Sequence, residues 1–118
     1  MAYAQFDDGF HMHPAIRGLS DAAFRLHVAG IIHCSRFLTD GVILTADVPD
    51  LVRRYKPTAL AELVDKGRWA PVGTAGYEVL GYLDHNDSRE VVLERRRKKA
   101  ERQAKWLAKK DAAKEDGL

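Results

Sequence analysis

Between Ser20 and Arg36, small and apolar residues return every three or four positions. They are Ala22, Leu26, Ala29 and Ile32 or His33, with Ala23 and Gly30 on a neighbouring strip. That spacing matches the 3.6-residue turn and predicts a first amphipathic helix. Ser20 suits its N-cap, because a serine hydroxyl accepts from a free amide of the first turn, and Asp21 suits the positive helix end. Residues 1–18 have Gly9, Pro14 and Gly18 among scattered aromatics and little periodicity, so they read as an extended lead-in. Thr39-Asp40-Gly41 is a turn signal, followed by a short β-prone run, Val42-Ile43-Leu44. Thr45 is placed to cap a second helix with Val48, Leu51, Val52 and Tyr55 inward and Pro49 near its first turn. Pro57 pushes Lys56 out of the helical region, so a third helix starts at Pro57 or Thr58. It buries Leu60, Leu63 and Val64 and ends at Lys66-Gly67, a cation and then a residue that accepts a left-handed cap.

Arg68 to Val72 and Tyr77 to Leu80 flank Gly73-Thr74-Ala75-Gly76. Two β-prone runs around a glycine-containing tip predict a hairpin, with Pro71 marking an edge strand. Asp87-Ser88-Arg89-Glu90 fits a capping box. From there to about Lys114 neither Pro nor Gly occurs, and Ala, Glu, Lys and Arg dominate, which is strong helix composition. Leu93, Ala100, Ala104 and Leu107 give this helix only a thin apolar seam, interrupted by Arg97. The predicted fold class is therefore mainly α with a small β-hairpin (α+β). Its order is that of a winged helix-turn-helix followed by a long basic C-terminal helix. The predicted division is a winged-helix domain over 1–87 and a basic helical arm over 88–118.

Charge sharpens this division. The chain of 118 residues has a net charge of +2. Residues 1–87 hold 8 basic and 11 acidic residues, whereas 88–118 hold 11 basic and 6 acidic. Arg95-Arg96-Arg97-Lys98-Lys99 is an unbroken cationic run. A basic arm on a mildly acidic globule points to a polyanionic partner, and double-stranded DNA fits it best. A membrane surface fits poorly, because an interfacial helix needs a bulky apolar face. No run of apolar residues is long enough to span a bilayer, and the N-terminus lacks the pattern of a signal peptide. The expected location is the cytoplasm of a bacterial cell, associated with the nucleoid.

The segments Gly9-Phe10 to Pro14, Leu19-Ser20-Asp21-Ala22-Ala23-Phe24-Arg25-Leu26 and Leu38-Thr39-Asp40-Gly41-Val42-Ile43 resemble the N-terminal winged-helix domain of phage replication initiators and replisome organisers. Leu63-Val64-Asp65-Lys66-Gly67-Arg68-Trp69 is similar to that family's exit from the recognition helix. Tyr77 to Arg89, with Tyr82-Leu83-Asp84-His85-Asn86-Asp87-Ser88-Arg89, is similar to its wing and the start of its tail helix. The resemblance spans roughly residues 6–105 and implies a DNA-binding role in replication initiation or transcriptional regulation. No helicase-loading or ATPase segment follows by Leu118, which favours a bare DNA-binding or regulatory part.

On this reading the third helix approaches the major groove with Thr58 and Lys66, while Arg53, Arg54, Lys56 and Arg68 hold phosphates at its two ends. Thr74 lies at the wing tip. Arg95, Arg96, Arg97, Lys98, Lys99, Arg102 and Lys105 add affinity without a base code. Glu62 and Asp65 run against this reading, since carboxylates repel phosphates unless they accept from cytosine. They favour the alternative, a small interaction module that binds a host or replisome protein. A homodimer, through the tail helix or the small-residue strip of the first helix, is a further expectation. His11 and His13 could supply two metal ligands and Cys34 a thiolate, with His33 and His85 as further candidates, but no CxxC pair or HExxH motif is present. Gly73 to Gly76 lacks the lysine of a phosphate loop, and no nucleophile has an evident base. Neither a cofactor, a metal nor an enzymatic activity is expected.

Overall fold

Ser20 caps the first long helix as its sequence predicts. Its backbone is extended, and its hydroxyl accepts from the Ala23 amide at 3.2 Å. The computed structural model describes residues 3–116, so Met1 and Ala2 of the lead-in, with Gly117 and Leu118, lie outside the described residues. The chain divides into two units at Ser88–Arg89. In the first unit, α1 (Pro14–Arg17) and α2 (Asp21–Phe37) precede β1 (Val42–Leu44). A 3₁₀ turn (Thr45–Asp50), α3 (Pro57–Asp65), β2 (Trp69–Val72), β3 (Gly76–Val79) and α4 (Tyr82–His85) follow. The second unit is α5 (Arg89–Asp116).

The three strands form one antiparallel sheet in the order β1-β3-β2. Ile43 faces Tyr77, Trp69 faces Val79, and Pro71 faces Tyr77 from the edge strand β2, where its missing amide breaks no ladder. The fold is thus mainly helical with a small antiparallel sheet and a long C-terminal helix, the α+β class expected. The predicted hairpin acquires a third strand because β1 pairs with the far side of β3.

Four local expectations are corrected. The lead-in is not extended: Phe10–Met12 forms a 3₁₀ turn and Pro14–Arg17 a helix. Pro14 presets φ for the first helical position, and His13 Nδ1 accepts from the Ala15 amide at 3.2 Å. Ile16 and Leu19 then anchor this stretch in the core.

The buried strip of α2 is the neighbouring one. Ala23, Leu26, His27, Gly30, Ile31 and Cys34 are buried, whereas Ile32 is exposed. Gly30 explains the rotation. A Cβ there would lie 2.5 Å from Trp69 Cζ2 and 3.0 Å from Ile43 Cδ1. The helix gives up about 1 kcal/mol of propensity at this glycine and seats the indole directly against its backbone.

The second helix is only the 3₁₀ turn Thr45–Asp50. Pro49 lies inside it, and Leu44 rather than Thr45 stands at its cap. Proline supplies no amide to continue the turn, and Arg54 then adopts a left-handed conformation, φ 57°. The Thr45 hydroxyl instead donates to the Thr74 carbonyl at 3.4 Å, and the Thr45 amide to Ala75 O at 3.0 Å. Lastly, Tyr82–His85 adds a short helix, and α5 starts at Arg89, one residue later than a cap at Asp87 implies.

Candidate nucleic-acid interface

Arg53, Arg54 and Lys56 emerge together at the start of α3, all exposed. Packing of α2 against α3 brings a fourth cation, Arg25, to the same place. With Asp21 they rim a cleft of about 250 Å³ backed by Leu26, Val52 and Ala59. Among the described residues no ion pair or hydrogen bond engages any of the four side chains. No side chain caps α3 at Lys56, so the positive end of the helix dipole adds to the same field. The left-handed backbone of Arg54, φ 57°, costs about 1–2 kcal/mol. Such a cleft attracts a phosphate by charge and carries no base code. Arg25 has no signal in the local sequence, because 28 positions separate it from Arg53.

The α3 residues divide between exposed positions and internal ties. Thr58, Ala61 and Asp65 are exposed. Glu62 accepts from the Ser20 amide at 2.8 Å, and that bond holds its carboxyl below the usual carboxylate range. Lys66 lies 4.0 Å from the same carboxylate and donates to the Gly18 carbonyl. Glu62 and Lys66 therefore clamp α3 to the start of α2. This removes one of the two carboxylates that stood against a groove-facing helix, and it also occupies Lys66, the cation at the helix's C-cap. Thr74 is exposed at the tip between β2 and β3, with its carbonyl held by Thr45.

Arg68 lies apart from the cleft at the start of α3. It is half-buried and lines a separate cavity with Phe10, His27 and Tyr82. Its Nε is buried and has no protein acceptor. The next residue, Trp69, donates from Nε1 to His27 Nδ1 at 2.9 Å. Burial, and secondarily the Arg68 charge, push the His27 pKa down to about 4. The folded state thus holds His27 neutral where an unfolded chain, with a pKa near 6.5, takes up a proton. The sign follows directly. The His27 contribution is complete above about pH 6.5, falls by about 1.4 kcal/mol per unit below it, and levels off near pH 4 after a loss of about 3 kcal/mol. Denaturant titrations of the wild type and His27→Gln across that range are expected to differ by this slope, and parallel profiles would refute it.

The helix α5 is exposed from Leu93 to Lys114. Helical spacing gathers Arg95, Lys98, Lys99, Arg102, Lys105 and Lys109 on one face. Trp106 lies in the middle of that face, 60% exposed, with Lys110 Nζ 5.1 Å from its ring centroid. Arg97 belongs to the other side. It donates from Nε to Glu94 at 3.0 Å and pairs with Glu101 at 2.5 Å. The cations are therefore not spread around the whole helix. Arg97 is balanced by two carboxylates, Arg96 borders the basic face, and Lys98, Lys99, Arg102 and Lys105 form no ion pair among the described residues.

Among the described residues no three of His, Cys, Asp or Glu gather as a metal site, and no helix is long and apolar enough to cross a membrane. Cys34 is buried, and burial pushes its thiol up, which suits an inert core residue. Comparison with family models, curated proteins and solved structures finds no match to this chain.

Proposed function

We propose that this chain binds double-stranded DNA, as a winged-helix protein of phage or prophage type acting in replication initiation or transcriptional regulation. The observation that carries the reading is the group Arg25, Arg53, Arg54 and Lys56, four unpaired cations at the start of α3 in a unit that is otherwise acidic. Asp21 on the rim offsets them only in part, and no ion pair among the described residues engages them, so a polyanion gains most of their field. The basic face of α5 supplies a second set of phosphate contacts. Thr58, exposed in the first turn of α3, is the side chain placed to meet a base edge. The expected setting is the cytoplasm of a bacterial cell.

The test uses the full chain, a duplex from its own genomic neighbourhood and a random duplex, across a salt series. Trp69 is 1% exposed and Trp106 60% exposed, so a change in tryptophan emission on binding reports α5. Salt-sensitive binding with preference for the native duplex is the expected result. Equal binding to both leaves only electrostatic attachment, and no binding at low salt retires the reading. One observation favours a different partner: the free surface of α3 offers Thr58, Ala61 and Asp65 and no cation. That surface suits a protein contact, with a host or replisome protein or a second copy of the chain. Failure on DNA would make a pull-down the next step.

A further inference from the structure

The cavity beside Arg68 is separate from the cationic cleft and serves no part of the DNA reading. It is bounded by the N-terminal segment, α2 and the turn from β3 into α4, and its volume is about 400 Å³, within the range of small-molecule sites. Its body is apolar and aromatic: Phe10, Ile16, Ile31, Val79 and Tyr82 line it. Phe10 stacks on the His27 ring at 5.8 Å and packs edge-on to Phe6 at 5.1 Å.

Two donors in this wall lack protein acceptors. Arg68 Nε is buried and unpartnered. His27 is 4% exposed, and its Nδ1 is committed to accepting from Trp69. A neutral imidazole that accepts at Nδ1 carries its proton on Nε2, and no bond engages that atom among the described residues. A guanidinium and a neutral ring donor thus line one pocket. Of the two, Arg68 Nε is the buried one; a buried donor without an acceptor costs about 1–3 kcal/mol, and more when charged, so an acceptor bearing negative charge gains by reaching this guanidinium. Asp7 and Asp84 also line the cavity, and their charges weigh against a dianion.

We propose that this cavity binds a small organic monocarboxylate, its carboxylate on Arg68 and His27 and its apolar body among Phe10, Ile31 and Tyr82. Such a ligand would make the protein responsive to a metabolite of that class. The proposal does not depend on what the protein does with DNA.

The indole N–H of Trp69 donates to His27, so its proton resonance reports the site, and Trp106 on α5 is the internal control. Hexanoate, phenylacetate and indole-3-acetate are the probes, with phenethyl alcohol and phenyl phosphate as the matched neutral and dianionic compounds. The expected result is a saturable shift of the Trp69 signal with at least one acid below about 10 mM, and a still Trp106 signal. The alcohol and the phosphate should bind about tenfold or more weakly. Arg68→Gln should weaken the acid by about ten- to a hundredfold. Absence of a saturable shift with all three acids overturns the proposal, as does equal binding of acid and alcohol. Should Arg68→Gln fail to fold, the comparison of acid, alcohol and phosphate on the wild type decides alone.

Discussion

Trp69→Ala is expected to lower the free energy of unfolding by about 3–5 kcal/mol. The ring is 1% exposed and lies between Gly30, Ile43 and the face of β3 opposite Val79. Removing it leaves a hole that a glycine cannot help to fill, and the cost of a cavity grows with how poorly its walls collapse. It also strips His27 Nδ1 of its one donor among the described residues, leaving an unmet acceptor in a buried place. For a domain of this size the loss corresponds to a fall in melting temperature of more than about 12 °C. Trp69→Phe keeps most of the ring area and should lose roughly half as much. Trp106→Ala, at an exposed position of α5, should change stability by less than about 0.5 kcal/mol. Guanidinium unfolding followed by circular dichroism makes the comparison. A loss below about 1.5 kcal/mol for Trp69→Ala would mean that the indole is not the centre of the core.

Replacing Arg25, Arg53, Arg54 and Lys56 together by glutamine is expected to flatten the salt dependence of DNA binding. Four phosphate contacts contribute a slope of about −3.6 to log K against log salt. Between 50 and 200 mM salt that share alone amounts to about 150-fold in affinity. The variant should bind weakly and with little salt sensitivity beyond that of α5. Lys98→Gln with Arg102→Gln and Lys105→Gln should flatten the slope by about 2.7 and weaken native and random duplexes alike. Preference for the native duplex should survive the α5 change and fade with the cleft change, because only the cleft fixes the position of α3. All four cleft residues are exposed, so the variant should fold. An unchanged slope would assign these cations to something other than phosphate.

The parts of the fold that were legible in the sequence carry their own local chemistry. Ser20 before a helical period, Asp40-Gly41 before a β-prone run, and Pro71 beside a glycine-rich tip each specify a structure within a few residues. Gly41 indeed lies at φ 92°, and Pro71 sits on an edge strand. What escaped was set by tertiary contact. Ala22 and Ala23 fit a helical period equally well, and only the indole across the core decides between the strips that contain them. Pro49 is compatible with the first turn of an α-helix, but here it lies inside a 3₁₀ turn. Of the candidate site, Arg53, Arg54 and Lys56 were visible as neighbours in sequence. Arg25 joined them only through the packing of α2 on α3. The ties of Glu62 to Ser20 and of Lys66 to Gly18 span more than forty residues. The charge faces of α5 follow from spacing alone, yet an unbroken cationic run hides that Arg97 sits opposite the others, between Glu94 and Glu101.

The Trp69 ring occupies the space that a side chain at position 30 would need, so these two positions cannot change independently. A methyl group added first at 30 collides with an indole that has nowhere to move. A smaller ring introduced first at 69 opens a void beside the glycine. Either order passes through a less stable protein, and only a joint exchange, a larger residue at 30 with a smaller one at 69, avoids the valley. Gly30 and Trp69 are therefore coupled by geometry although 39 positions separate them.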